Sequence, residues 1–173
     1  KIDALPLPLF AWDDIPATRY GSHTGRFSGS SQLGLLTLRT DEGVEGHAFL
    51  GSAMRGGHIE AASLIKYLKP IVMDQDPLER ERLYREMLGR YRFTTLRAIG
   101  AVDVALWDIA GKVAGLPIHQ LIGTSRHSVA AYASSPVLEA AAAYAEQAAS
   151  FKSDGWTAYK IHPPADPDTD IEV

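Results

Sequence analysis

The chain of 173 residues contains no cysteine, so no disulfide staples it and no thiolate takes part in its chemistry. It has no concentrated run of lysine or arginine. With a net charge of −4, nucleic acid and anionic membrane are poor candidates for its main partner. Its apolar stretches are short and broken by Gly, Pro or charge, well below the ~20 residues a membrane-spanning helix needs. No signal-peptide pattern opens it. These exclusions, with the absent cysteines, lead to the expectation of a cytoplasmic protein. The first residue is Lys1 rather than Met, which leads to the further expectation that residues precede it. There is no internal repeat and no low-complexity segment. The balance is that of an ordinary globular chain, 46% hydrophobic and 22% charged, and long enough to bury a sizeable core.

Residues 1–12 alternate loosely and are interrupted by Pro, which suits an edge strand at best. Residues 13–31 are rich in Gly, Ser, Asp and Thr and read as a long loop. LGLLTLRT and VEGHAFLG then flank Asp41-Glu42-Gly43, the pattern of a β-hairpin. Helical spacing follows. Ile59, Ala62, Ile65 and Leu68 mark one face before Pro70. Asp76-Pro77 reads as the start of a helix carrying Leu83, Met87 and Leu88. Leu96, Ile99, Val102, Leu106, Ile109 and Val113 recur at spacings of three and four until Gly115-Leu116-Pro117. This is an α+β domain over about residues 1–125, a hairpin sheet followed by helices. A change of pattern comes next. SVAAYASS (128–135) reads as a short buried strand. Pro136 to about Lys152 reads as a helix with Leu138, Ala142, Ala145 and Ala149 on one side. WTAYKIH (156–162) reads as a second strand. Strand, helix and strand with short links imply a parallel βαβ unit over 126–173. Two strands do not complete such an architecture.

The stretch AIGAVDVALWDIAGKVAGLPIHQLIG (98–123) resembles the helix before the barrel in the mandelate racemase and muconate lactonizing enzyme family of the enolase superfamily. The resemblance rests on Asp-x-Ala-Leu-Trp-Asp at Asp103–Asp108, Gly111-Lys112, Gly115-Leu116-Pro117 and Leu121-Ile122-Gly123. VAAYAS looks like the family's first barrel strand and GWTAYKIH like its second. It implies an N-terminal α+β capping domain (1–125) followed by the first β-α-β unit (126–173) of an incomplete TIM-type (β/α) barrel. It also implies a Mg²⁺ ion and proton abstraction next to a carboxylate. Ligands to that ion are expected from later strands, with no metal ligand in this chain.

Such chemistry needs a Lys or His base and charge stabilisation on the enediolate oxygens. Alternation along WTAYKIH puts Lys160 and His162 on one face, at the strand end where barrel active sites lie. The family pattern has lysine at both positions, the second usually the base. This chain has His162 instead, and a neutral imidazole accepts a proton near neutral pH. The expectation is that Lys160 neutralises a substrate carboxylate while His162 acts as base or proton donor. The plainer reading of His162 is a polar strand-end residue or a substrate hydrogen-bond donor. Tyr132 and Ser134 share a face of the first strand and are substrate-binding candidates, or else barrel packing and a strand-end cap. Arg19, Tyr20, His23 and Arg26 are substrate-binding candidates on a flap that the resemblance implies, with Arg55 a weaker one in a second loop. His47, His58, His119 and His127 show no metal-binding spacing. Asp103, Trp107 and Asp108 read as structural, Asp108 with Lys112 one turn on. Asp166–Glu172 reads as a loop leading into a helix capped by Thr169 or Asp170.

These readings point to an acid-sugar dehydratase. The alternatives are a racemase, epimerase or cycloisomerase of the same superfamily, or a non-catalytic binding or assembly module if the chain ends at Val173. The expected partners are a small-molecule carboxylate such as an acid sugar and the remainder of the barrel, from the same or another chain. The resemblance also implies a homo-oligomer.

Overall fold

The computed structural model describes residues 1–19, 26–51, 57–138, 140–163 and 167–171. The chain divides into two compact units, Lys1–Asp13 with Ser30–Ser125, and Asp14–Gly29 with Arg126–Val173.

The sheet is built on β3 (Arg26–Thr40), which pairs with β1 (Ile2–Ala4), β2 (Leu9–Arg19) and β4 (Glu45–Leu50). The β3–β4 pair is antiparallel and in register from Gly34↔Leu50 to Arg39↔Glu45. Gly43 closes its turn with φ of 80°, a conformation that costs glycine nothing, and donates to the Thr40 carbonyl at 2.9 Å. Alternation decides what β4 buries: Gly46, Ala48 and Leu50 face inward, while Glu45, His47 and Phe49 do not. The long-loop reading of residues 13–31 is corrected here. Residues 13–19 and 26–31 are strand. Their polar composition hides this, because backbone pairing needs no apolar side chain.

Helices α1 (Gly57–Tyr67), α2 (Lys69–Val72), α3 (Arg80–Leu88) and α4 (Leu96–Ala114) follow, with the short α5 (Ile118–Leu121). The face assigned to α1 is also corrected. Its buried residues are Gly57, Glu60, Ala61 and Leu64, while Ile59 and Ile65 are exposed. A charged residue at the centre of the inward face defeats a reading by hydrophobic spacing. Glu60 lies there because Thr95 Oγ1 donates to its Oε1 at 3.3 Å and Arg97 Nε sits at 3.7 Å. Pro70 does not end the helical run but occupies the first turn of α2. Asp76 caps a turn, accepting from the Leu78 amide at 2.9 Å, and α3 begins four residues later.

Helix α4 organises the first unit. Ile99, Val102, Leu106 and Ile109 are fully or almost fully buried against Leu36, Leu38, Leu64 and Leu83 in one core. Thr95 caps its start, accepting from the Ala98 amide at 3.0 Å, and Gly115 at φ of 64° ends it. Thr95→Ala is expected to cost about 1 kcal/mol for the cap. It also removes a donor to a buried carboxylate, so the urea midpoint should fall further than for an exposed N-cap change.

The Asp103–Asp108 segment is structural in its contacts. Asp103 accepts from Arg80 Nη1 at 2.7 Å, and the Arg80 guanidinium lies 4.3 Å from the centre of the Trp107 ring. Asp108 accepts from the His47 amide at 2.9 Å and from Lys112 Nζ at 2.8 Å, and Lys112 also reaches the Glu45 carbonyl at 2.7 Å. The two carboxylates thus tie α3 and β4 to one helix. At the edge of β4, the hydrogen bond from Arg39 Nε at 2.7 Å holds the Glu45 carboxyl below its ordinary range, against some desolvation. A lowered folded value means this pair stabilises above the ordinary carboxylate range, and the contribution is lost as pH falls through the depressed value. Arg39→Gln should therefore move the NMR titration of Glu45 upward toward a free carboxyl.

In the second unit, β5 (Ala133–Ser134), α6 (Ala141–Ser153) and β6 (Tyr159–Lys160) form the expected parallel unit, with α7 (Pro167–Asp170) beyond it. The strands are shorter than their sequence patterns suggest. Val129 and Tyr132 are exposed, and burial is confined to Ala133 and Ser135. A two-stranded sheet buries residues only where a helix covers it. The buried side of α6 is not the Leu138, Ala142, Ala145, Ala149 line, whose three alanines are exposed. It centres on Tyr144, with Phe151 packing on Tyr159 at 5.6 Å between ring centres. Thr169 and Asp170 lie within α7, so neither caps its start.

Candidate active site

The register of the parallel pair builds the site. Ala133 stands opposite Tyr159 and Ser134 opposite Lys160. Lys160 Nζ lies 5.8 Å from the centre of the Tyr132 ring, a cation–π distance that restrains an otherwise exposed ammonium. The Ser134 hydroxyl is 3.4 Å from His162 Nδ1. Four of the nine candidate residues, Tyr132, Ser134, Lys160 and His162, therefore meet at one end of the β5–β6 pair.

Ser135, one residue further on, touches both partners. Its amide donates to the Lys160 carbonyl at 3.0 Å, extending the ladder. Its hydroxyl accepts from the His162 amide at 3.0 Å, taking the place of the next backbone acceptor. Its carbonyl lies 2.8 Å from His162 Nδ1. A carbonyl oxygen only accepts, so a bond this short requires the proton on Nδ1. The neutral imidazole then carries its free lone pair on Nε2. Tyr144 completes the frame from α6. Buried to 2% exposure, its hydroxyl accepts from the Leu138 amide at 2.8 Å and donates to the His162 carbonyl at 2.7 Å.

Chemically, this is a cation and a proton acceptor on one strand end, with the acceptor nitrogen selected by a backbone bond. Sequence reasoning missed Ser135 and Tyr144. Ser135 acts mostly through main-chain geometry, which leaves no side-chain pattern. Tyr144 had a readable signal, one of two aromatics in an alanine-rich helix.

The other candidates are placed less fully. Arg19 ends β2 and Arg26 begins β3, and the backbone of both belongs to the second unit. Their side chains, and Tyr20, His23 and Arg55 entirely, lie outside the described residues. His47 bonds Thr37 Oγ1 through Nδ1 at 3.1 Å, and Thr124 Oγ1 donates to the His119 carbonyl at 3.3 Å. Among the described residues, no three His, Asp or Glu side chains gather as a metal cage. These residues do not fit Mg²⁺. No helix among the described residues is long and apolar enough to cross a membrane.

The family described as the mandelate racemase / muconate lactonizing enzyme N-terminal domain matches residues 22–123. A D-galactonate dehydratase family member from Pseudarthrobacter chlorophenolicus is 40% identical over 115 residues, covering 61% of this chain and 27% of that protein. Among solved structures, a racemase from Streptomyces coelicolor A3(2) with bound magnesium superposes with a TM-score of 0.80 at 26% identity, over 93% of this chain and 46% of that one. D-glucarate dehydratase from Agrobacterium tumefaciens, complexed with magnesium, gives a TM-score of 0.74 at 26% identity, over 99% of this chain and 48% of that one. The chain thus spans about half the length of these solved relatives, and its match covers about a quarter of the curated one.

Proposed function

Because the chain belongs to the mandelate racemase and muconate lactonizing enzyme family, we propose that it supplies the Lys160–His162 half of the active site of an acid-sugar dehydratase. In this reading the Lys160 ammonium meets the substrate carboxylate and offsets the charge that grows there as the α proton leaves. His162 accepts that proton at Nε2. Tyr132 and Ser134 border the substrate beside them. Magnesium, present in both solved relatives named above, is proposed to be held by groups outside the described residues.

The observation that carries the proposal is the 2.8 Å approach of His162 Nδ1 to the Ser135 carbonyl, which leaves Nε2 as the basic nitrogen on the face shared with Lys160. Support for the dehydratase outcome comes from the D-galactonate dehydratase family relative and the D-glucarate dehydratase likeness. Racemisation is the second reading, favoured by the likeness to the racemase.

The test is a panel of acid sugars incubated in D₂O with Mg²⁺ and the complete enzyme that carries this chain. Dehydration yields a 2-keto product. Racemisation yields deuterium at the α carbon of both epimers with no loss of water. Absence of both α exchange and product across the panel would reject the proposal.

A further inference from the structure

We infer that Ser135 and Tyr144 are positioning residues that fix the tautomer of His162, and so decide which of its nitrogens faces substrate. The inference rests on His162 acting as the proton acceptor, but it concerns different atoms and can fail separately.

His162 lies two residues beyond Lys160, past the last ladder pair, where a strand end is ordinarily free to fray. Here it is held on both sides. Its N–H donates to Ser135 Oγ at 3.0 Å, and its carbonyl accepts from Tyr144 Oη at 2.7 Å. Both partner residues are buried, Ser135 to 5% and Tyr144 to 2% exposure, so water competes poorly for these bonds. Tyr144 is itself oriented, because its oxygen accepts from the Leu138 amide at 2.8 Å and its single proton favours the His162 carbonyl at 2.7 Å over the Leu138 carbonyl at 3.4 Å.

With the His162 backbone fixed, the ring meets the Ser135 carbonyl at 2.8 Å. Two neutral tautomers are available to a free imidazole. Placing the lone pair on Nδ1 would set it against a carbonyl lone pair at that distance, a repulsive contact. The Ser134 hydroxyl at 3.4 Å is too distant to offset it. The Nδ1–H form is therefore selected, and Nε2 is left as the base. Ser135 supplies the acceptor for the ring and, through its hydroxyl, the anchor that keeps the ring there. Tyr144 keeps the anchor from sliding. Neither side chain needs to touch the reacting atoms.

The test uses the complete enzyme with ¹⁵N-labelled histidine. In the wild type, the neutral His162 ring should show a protonated Nδ1 and an unprotonated Nε2. In Ser135→Ala and in Tyr144→Phe the two nitrogens should move toward the averaged shifts of a tautomer mixture. With these changes kcat should fall on the order of 100-fold, as for a misplaced catalytic group, while KM changes little because Lys160 is untouched. Ser135→Thr keeps the hydroxyl and should restore both the shifts and most of kcat. Should Ser135→Ala fail to fold, Tyr144→Phe carries the same readout from the other side of the His162 backbone. A wild-type spectrum showing the proton on Nε2 would overturn the inference, as would variants that leave the shifts and kcat unchanged. The spectrum reads the tautomer whether or not any acid sugar is turned over, so a failure of the substrate proposal leaves this result interpretable.

Discussion

Alanine in place of Gly46 is expected to destabilise the first unit by at least about 3 kcal/mol, the upper end of what an overpacked core usually costs. A Cβ at this position would stand 2.0 Å from the Ala105 carbonyl oxygen and 2.7 Å from Ile109 Cγ1. The nearer atom is helix backbone rather than the far end of a flexible side chain. Relief therefore requires α4 to move off β4 by more than an ångström. That shift would disturb the bonds from Asp108 to the His47 amide and from Lys112 to the Glu45 carbonyl. At roughly 4 °C per kcal/mol for a domain of this size, the thermal midpoint should drop by more than about 10 °C. Gly100, in α4 itself, provides the opposite sign. A Cβ there meets nothing within 4 Å, so Gly100→Ala should be neutral or stabilising by about 0.5–1 kcal/mol through helix propensity alone. Differential scanning calorimetry of the two variants checks both, and equal effects would mean that β4 and α4 do not approach as described.

The second large effect concerns the site. His162→Asn in the complete enzyme is expected to lower the rate of α-proton exchange by about 10²–10⁴-fold, the usual contribution of a positioned general base. Asparagine keeps a polar group near the Ser135 carbonyl but offers no basic nitrogen. Lys160→Met should act differently. Loss of the cation weakens binding of the substrate carboxylate and also the stabilisation of the charge that develops on it, so KM should rise and kcat fall together. Steady-state kinetics with a C2-deuterated acid sugar separate the two. In His162→Asn any residual turnover should show a full primary isotope effect, since proton removal would then limit the rate. An His162→Asn enzyme with unaltered exchange would leave His162 as a strand-end residue only.

The parts of the fold that rest on side-chain spacing were open to sequence reasoning. The hairpin at Asp41–Gly43, the buried line Ile99, Val102, Leu106 and Ile109, and the parallel βαβ unit all follow from periodicity and turn chemistry, although Leu96 and Val113, read onto the same line, are exposed near the helix ends. The family became recognisable in Asp103–Asp108, whose contacts with Arg80, His47 and Lys112 explain why acidic residues flank an apolar helix segment. What stayed hidden depended on backbone or on exceptions to pattern. Strand pairing in residues 13–19 and 26–31 carries no hydrophobic alternation. Glu60 occupies the inward face of α1 where an apolar residue would be assumed, because Thr95 and Arg97 receive it. In α6 six of thirteen positions are alanine, which blurs the hydrophobic period, so Tyr144 and Phe151 were the residues that could reveal the buried side. At the site, alternation put Lys160 and His162 on one face, and the register of β5 with β6 sets Ser134 and Tyr132 beside them. The selection of a single basic nitrogen was beyond sequence, because it depends on a carbonyl oxygen that every residue possesses.

The most direct measurement of the central claim is a crystal structure of the complete enzyme with a slowly reacting acid-sugar analogue bound. The α carbon is expected within about 3.5 Å of His162 Nε2, a near-attack separation, with Lys160 Nζ at hydrogen-bonding distance from the analogue's carboxylate and Nδ1 still on the Ser135 carbonyl. An analogue whose α carbon lies beyond reach of Nε2, with another basic side chain against its α proton, would contradict it.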